Sequence, residues 1–343
     1  MKQSNPTLKD LANELGVSIS TVSRALHQHP TISKETIEKA RGLAEKMGYY
    51  PNGVAKSLQQ KSTTTIGVIV PEIRHYFFSL AIDGIEDVAY RAGYTINMSK
   101  SNEDVEREVL NTESMISNRI AGLIASVSQT TIGGLHFQRV VGRGIPLVFF
   151  DRVLDDIDVN KVISNDFDRA YKTVEHLVES GYRRIAHLAG PKQLVITRER
   201  LHGYRAAQVD HGLEINEEMI IFGDLNESAG ESGARLLLGM QNPPDAICAV
   251  NDPVAIGAFR YIRERGLRIP EDIGITGFSN NPITSMIDPP LTTVDQHGYE
   301  MGQLAASILL AEIKGHRVSR PETHVIKANL IIRKSSQLAR HAD

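Results

Sequence analysis

Between Gly16 and Leu26 the chain reads GVSISTVSRAL, which places four hydroxyl side chains, Ser18, Ser20, Thr21 and Ser23, within six positions, with Arg24 directly after them. Serine and threonine hydroxyls compete for backbone hydrogen bonds, so helix interiors seldom collect them. At the N-terminal end of a helix such small groups can approach phosphate oxygens and base edges without steric conflict. An arginine beside them offers a two-pronged donor to a guanine edge or to a phosphate. The plain alternative is a solvated surface helix that happens to be rich in serine.

The flanking pattern supplies the elements that would position this cluster. Thr7 stands three residues before Asp10, a capping-box-like start, and Leu8, Leu11, Ala12 and Leu15 fall on one helical face. Gly16 breaks that helix. Ser18 can cap a second one, to about His27, with Val22 and Leu26 turned inward. Pro30 stops the chain again, and Ser33 can cap a third helix, striped by Ile37, Ala40, Ala44 and Met47 and ending at Gly48. Three short amphipathic helices, the first two joined by a tight glycine turn, make the helix-turn-helix pattern. Residues 1–61 carry nine Lys/Arg against five Asp/Glu, a net +4 in a chain whose total is −3, so the remainder carries −7. A basic head on an acidic body suits contact with a polyanion.

Residues 49–65, YYPNGVAKSLQQKSTTT, read as a linker enclosing a segment too short to form a stable helix alone. Leu58 in it is either a linker residue resting on the next domain or an apolar wedge for the minor groove, ordered on binding. The stretch from Thr7 to Leu58 resembles the headpiece and hinge of the lactose-repressor (LacI) family of bacterial transcription regulators, above all in GVS…TVSRAL and GYYPN..AKSL. The resemblance implies that Ile19, Ser20 and Arg24 read bases. By the same resemblance Thr7, Ser18, Thr21 and Ser23 contact the DNA backbone, Lys56 belongs to the DNA-binding hinge, and Leu58 is the wedge. Position 19 is often bulkier and more polar in the family, so the operator sequence does not carry over.

From Ile66 onward short apolar runs alternate with helical stretches: TIGVIVP, YTINMSK, IAGLIAS, PLVFFD, KVISND, RIAHLAG, MIIFGD, AICAV, IGITGF and TTVDQ. Such alternation predicts α/β architecture with parallel sheets covered on both faces, and the number of runs predicts two lobes with a ligand cleft at the strand ends. Asp151 and Asp166 end predicted strands, where a carboxylate suits acid–base chemistry, hydrogen bonding to ligand hydroxyls, or merely a turn. Enzyme signatures are missing: Gly142 and Gly144 lack the third glycine of a dinucleotide fingerprint, and neither GxxxxGK[ST] nor GxSxG occurs. His27 and His29 form a weak metal pattern without acidic or cysteine support.

This body resembles the periplasmic sugar-binding-protein-like core of the same family, to about residue 335. The implied organisation is a headpiece at 1–51, a hinge helix and linker at 52–65, an N-terminal lobe of 66–161 with 295–324, and a C-terminal lobe of 162–294 with 325–340. The resemblance also implies an effector site. Phe77 and Phe78 would stack on a ring or else pack in the core. Arg200 matches the ligand-holding arginine of the family, the alternative being a surface helix position. Asn251 and Asp252 stand at a strand-to-helix turn, where Asp252 also suits a helix cap. Asp151 would meet ligand hydroxyls, Leu225 would line the wall, and Gln296 would lie at a crossover. Ser279 departs from the family, which usually has aspartate there. A serine loses the charge and the reach, which opens the way to a different sugar, a phosphorylated or acidic one favoured by Arg200, or a non-sugar metabolite.

With 343 residues and 41% hydrophobic content the chain can build two or three domains. Cys248, the sole cysteine, sits in an apolar run and reads as a small buried hydrophobe in a reducing compartment. No apolar stretch approaches a membrane span and the start lacks a signal-peptide core, so a cytoplasmic protein is expected. The tail SSQLARHAD is too short for a heptad bundle, so a homodimer is expected rather than a tetramer. Together these readings predict a DNA-binding regulator, a repressor of a metabolic operon. It would grip a palindromic double-stranded operator and answer to a small-molecule effector, a sugar or sugar derivative, in the interlobe cleft. No enzymatic activity, cofactor, metal or membrane is expected. A metabolite receptor, or a carbohydrate or nucleotide enzyme on the same scaffold, is the alternative.

Overall fold

A computed structural model describes residues 6–49, 63–316 and 320–338. The chain divides into two compact units, Met1–Thr63 and Thr64–Asp343.

In the first unit, helices α1 (Leu8–Leu15), α2 (Ile19–Leu26) and α3 (Lys34–Met47) form where the apolar periodicity places them. Thr7 and Asp10 make a reciprocal capping box, with the Thr7 amide donating to Asp10 Oδ2 at 2.8 Å. Ser18 and Ser33 cap α2 and α3 by accepting from Thr21 N and Thr36 N. The α1–α2 turn needs Gly16, whose φ of 63° lies in the left-handed region that costs a β-carbon dearly. Leu11, Val22, Ala25 and Ala40 are fully buried, so this small core closes on short side chains.

The second unit holds two parallel sheets. The first, in the order β11-β5-β4-β3-β1-β2, comprises β1 (Thr65–Val70), β2 (Thr95–Lys100), β3 (Gly122–Ala125), β4 (Leu147–Phe150), β5 (Asn160–Ser164) and β11 (Thr323–Ile326). The second, in the order β7-β6-β8-β9, comprises β6 (Ile185–Ala189), β7 (Ile220–Phe222), β8 (Ala246–Ala249) and β9 (Gly274–Thr276). A short antiparallel pair, β10 (Thr293–Asp295) with β12 (Asn329–Ile331), completes the strands. Ile66, Val68 and Val70 belong to one buried cluster and Ile69 to another, as do Val148 and Phe150 against Leu147 and Phe149. That period-two split shows both faces of the first sheet covered at its centre, which is why β1, β3 and β4 read as continuous apolar runs.

Helices α4 (Tyr76–Arg91) and α12 (Gly298–Ile313) pack together and bury Ala81, Ile85, Met301 and Ala305 over one face of the first sheet. Helices α5 (Val105–Ser117) and α6 (Leu135–Gly142) bury Met115 and Phe137 on its other face. The second sheet lies between the pair α7 (Asp166–Glu179) with α8 (Val195–Asp210) and the pair α9 (Glu227–Leu238) with α10 (Asp252–Glu264). The last pair crosses backbone to backbone. A β-carbon on Gly257 would stand 1.9 Å from the Glu227 carbonyl oxygen, and one on Gly230 would stand 2.0 Å from that of Val254. A one-turn helix, α11 (Ile283–Met286), precedes β10.

The lobe boundaries expected at 161/162 and 324/325 fall inside strands. Lys161–Ser164 pairs in register with Thr323–Ile326, so both segments stay in the first sheet until Ser164 and Ile326. This pairing is long-range, and β11 alternates between exposed and half-buried residues, so no continuous apolar run announces it. The expected linker end at residue 65 is the first residue of β1.

Candidate functional site

Two places gather the candidate residues. On the first unit, Ser18, Ile19, Ser20 and Arg24 are exposed along α2, and Thr21 and Ser23 are half-buried beside them. The Ser18 hydroxyl lies 2.8 Å from both the Ser20 and the Thr21 hydroxyls. This small network spends the hydroxyls locally yet leaves them at the surface, where they can be re-directed to phosphate. Ile19 is 48% exposed, an uncovered apolar side chain next to polar groups and well suited to a thymine methyl. The Arg24 side chain has no partner among the described residues. The Thr7 hydroxyl is held by Asp10 at 2.7 Å, which also draws the Asp10 carboxyl below its usual range. His27 Nδ1 pairs with the Ser23 carbonyl oxygen and His29 Nδ1 with the Thr31 hydroxyl, so neither shows a ligand-like arrangement. Lys56 and Leu58 lie outside the described residues.

On the second unit, Phe77, Phe78, Asp151, Arg200, Leu225, Asn251, Ser279 and Gln296 all line one inner chamber between the lobes. They come from the starts of α4 and α10, the end of β4, the middle of α8, and the loops after β7, β9 and β10. His75, Arg152 and Ile196 line it as well. These three escaped sequence reading, although Arg152 directly follows Asp151 and Ile196 sits one helical turn before Arg200.

Arg200 is a strut, not a surface residue. It is 3% exposed, and its Nε and Nη2 both meet Asp166 Oδ1 at 2.7 Å. Its Nη1 donates to the Val250 carbonyl at 2.6 Å, and its guanidinium lies 3.7 Å from the Phe278 ring centre. Asp166 is therefore a buried counter-ion at the start of α7, where the helix dipole also favours its charge.

Ser279 works through a relay. Its hydroxyl donates to Gln296 Oε1 at 2.9 Å, and Gln296 Nε2 donates to Asp151 Oδ1 at 3.3 Å. Burial pushes the Asp151 carboxyl up to about 6, against the pull of Arg152 and Arg200. Arg152 spends Nη1 on both oxygens of Glu103 at 2.8 Å, while its buried Nε has no hydrogen-bond partner. Asn251, not Asp252, caps α10: its Oδ1 accepts from Val254 N at 2.9 Å, and its Nδ2 donates to the Leu225 carbonyl at 3.0 Å. Asp252 turns inward and accepts from the Thr293 hydroxyl and the Asn281 amide, because a buried carboxylate must find donors. Phe77 and Phe78 do two jobs at once. They pack edge to face, 5.3 Å apart, in the core of the first lobe, and they form part of the chamber wall.

Backbone strain concentrates here. Asn102, Glu103, Asp151, Ser279, Asn280 and His297 all have positive φ without being glycine. They sit at strand ends around the cleft, the kind of place where strained conformations are held by surrounding structure. The lobes are drawn together at the mouth. Gln129 Nε2 donates to Asp224 Oδ1 at 3.1 Å, Gln193 Nε2 donates to the Gln129 carbonyl, and Arg198 pairs with Asp155 at 2.6 Å. The inner chamber measures only about 30 Å³, room for about two waters. An outer chamber of about 680 Å³ adjoins it through His75 and Leu225.

Among the described residues no helix is long and apolar enough to cross a membrane, and no group of three His, Cys, Asp or Glu side chains converges as a metal site.

Residues 7–52 match the family model described as bacterial regulatory proteins, lacI family, and residues 174–336 match that of a periplasmic binding protein-like domain. The HTH-type transcriptional repressor CytR of Escherichia coli (strain K12) is 32% identical over 332 residues, 96% of each chain. Among solved structures, the lac repressor dimer bound to operator and the anti-inducer ONPF superposes with a TM-score of 0.86 at 29% identity, covering 98% of this chain and 100% of that one. The transcriptional regulator CelR–cellobiose complex gives a TM-score of 0.74 at 28% identity, with coverage of 96% and 99%. With an exposed hydroxyl-rich helix in a helix-turn-helix unit, followed in the chain by a two-lobed core, the chain belongs to the lacI family of bacterial regulatory proteins and is a transcriptional regulator, not an enzyme.

Proposed function

We propose that the protein is a cytoplasmic homodimer that represses a metabolic operon by gripping a palindromic operator. Its affinity for that operator is set by a sugar or sugar derivative held between the lobes. One observation carries the effector half: side chains from seven separated segments converge on a single chamber between two lobes. The cellobiose complex of one structural relative supports a sugar-like ligand. Ile19, Ser20 and Arg24 read base edges, and Thr7, Ser18, Thr21 and Ser23 hold the backbone. Lys56 and Leu58 act in the hinge, with Leu58 wedged into the minor groove. Each headpiece covers one half-site, and the dimer supplies the second. Lobe parting admits the effector, and the ligand shifts the balance only by its different affinity for the open and closed forms.

The test is a gel-shift titration on a palindrome selected from random duplexes. Arg24→Ala should lower specific affinity by about 10- to 100-fold, the worth of one bidentate base contact, with little change on unrelated DNA. Equal, salt-dependent binding to every duplex would refute the reading.

A further inference from the structure

We propose that His27 is a contact to the DNA backbone that forms only when its imidazole carries a proton, so that operator binding takes up a proton at each half-site. The inference rests on the headpiece gripping DNA through α2. Ser20, Arg24 and His27 follow the i, i+4, i+7 spacing of one helical face, and all three are exposed. Val22 and Ala25 turn away from that face into the core. His27, the C-cap residue of α2, therefore ends the same outward stripe that carries Ser20 and Arg24. Its ring is held in one orientation, because Nδ1 lies 2.7 Å from the Ser23 carbonyl oxygen. A carbonyl oxygen only accepts, so Nδ1 carries a hydrogen. In the neutral ring Nε2 is then a bare lone pair, which a phosphate oxygen repels. The protonated ring keeps its bond to Ser23 and gains a charged Nε2–H donor, the form that pairs with phosphate. The carbonyl end of α2 also favours a cation at this position.

His29, also exposed, is set the other way. The Thr31 amide donates to His29 Nδ1 at 3.4 Å, so Nδ1 is the acceptor and Nε2 of the neutral ring already bears the hydrogen. Protonation would cost His29 this bond, whereas it costs His27 nothing. The two histidines of the head therefore answer to pH in opposite ways, although they stand two positions apart. Helices α1 and α3 pack against α2. Their carboxylates are Asp10 and Glu14 on α1 and Glu35, Glu38 and Glu45 on α3. Among the described residues none of these pairs with either histidine; Asp10 is taken by Thr7 and Glu35 by Lys39. The cations are Lys9 on α1, Lys34, Lys39, Arg41 and Lys46 on α3, and Arg24 on α2 itself. A phosphate is thus the anion that would complete the His27 imidazolium, and by linkage its arrival raises the affinity of His27 for the proton as much as the proton raises the affinity for DNA.

Binding of the full-length protein to the palindrome selected from random duplexes tests this, followed by fluorescence anisotropy at constant ionic strength from about pH 6 to about pH 8, where imidazoles change charge. Affinity should fall at least about tenfold across that range, the scale of one charge-assisted contact in each half-site. The salt dependence should be steeper at the acid end, by about 0.9 in the log–log slope for each phosphate gained. His27→Gln should flatten the profile at the weak level and His27→Lys at the tight one, while His29→Gln should keep the slope of the parent. A flat profile in the parent, or a dependence that survives His27→Gln or disappears with His29→Gln, would overturn the proton-linked contact and leave the headpiece reading in place. Absence of any preferred palindrome at every pH would overturn both.

Discussion

Arg200→Met is the most informative perturbation of the core. The substitution keeps much of the side-chain length and removes the charge. It strands the Asp166 carboxylate, 6% exposed, with no counter-ion, and it uncovers the Val250 carbonyl and one face of Phe278. Breaking a buried ion pair by removing one partner costs about 3–5 kcal/mol. The lost carbonyl bond and ring contact overlap with that figure and do not add to it in full. For a unit of this size each kcal/mol moves the melting point by about 2–4 °C, so a drop of roughly 6–20 °C is expected. Removing both charges in Arg200→Met/Asp166→Leu should restore most of the loss, because an apolar pair of similar volume is often as stable as the ions it replaces. Thermal and urea unfolding of the two single variants and the double variant provide the measurement. A loss below about 1 kcal/mol for Arg200→Met, or strictly additive single costs, would refute the strut and return Arg200 to an ordinary helix surface.

Three further outcomes follow from the structure. The Asp151 carboxyl is raised from 3.8 to about 6 by burial, so the folded protein holds this proton more tightly than the unfolded chain does. Its contribution to stability is present below the unfolded value and is lost as pH rises through about 6. Asp151→Asn should therefore melt above the parent at about pH 7.5, by up to about 3 kcal/mol, and the gap should close toward about pH 4.5. A gap that is constant across that range would count against the raised carboxyl. Gly257→Ala places a β-carbon 1.9 Å from the Glu227 carbonyl and should destabilise the core by about 3 kcal/mol or more. Gly42→Ala, in an open helical position of α3, should raise helix stability by about 0.5–1 kcal/mol. Comparison of the two melting curves checks both values.

The headpiece was the most legible part of the chain. Its helices are short, their contacts are local, and caps such as Thr7, Ser18 and Ser33 mark their starts in the letters themselves. The buried parallel strands were nearly as plain, since both their faces are covered and they read as apolar runs. The exception among them was β11, which alternates exposed and half-buried and lacks that signal; β12, in the short antiparallel pair, lacks it too. In the cleft, residue type named the candidates, but not their states. Nothing in the spacing of Arg200 and Asp166 tells that they meet, and the capping role suggested for Asp252 fell to its neighbour Asn251.

Local pattern, charge balance and the motif from Thr7 to Leu58 were enough, by sequence alone, to determine a helix-turn-helix head on a two-lobed α/β body. Only the tertiary structure decided which carboxylates are paired, that Ser279 speaks to Asp151 through Gln296, and that Arg200 is buried against Asp166 rather than exposed on a helix. The physical reason is range. Helix caps and strand periodicity depend on neighbours within a few residues, whereas pairing and burial in the cleft depend on groups 34 positions apart, as Arg200 and Asp166 are, or 145 apart, as Asp151 and Gln296 are.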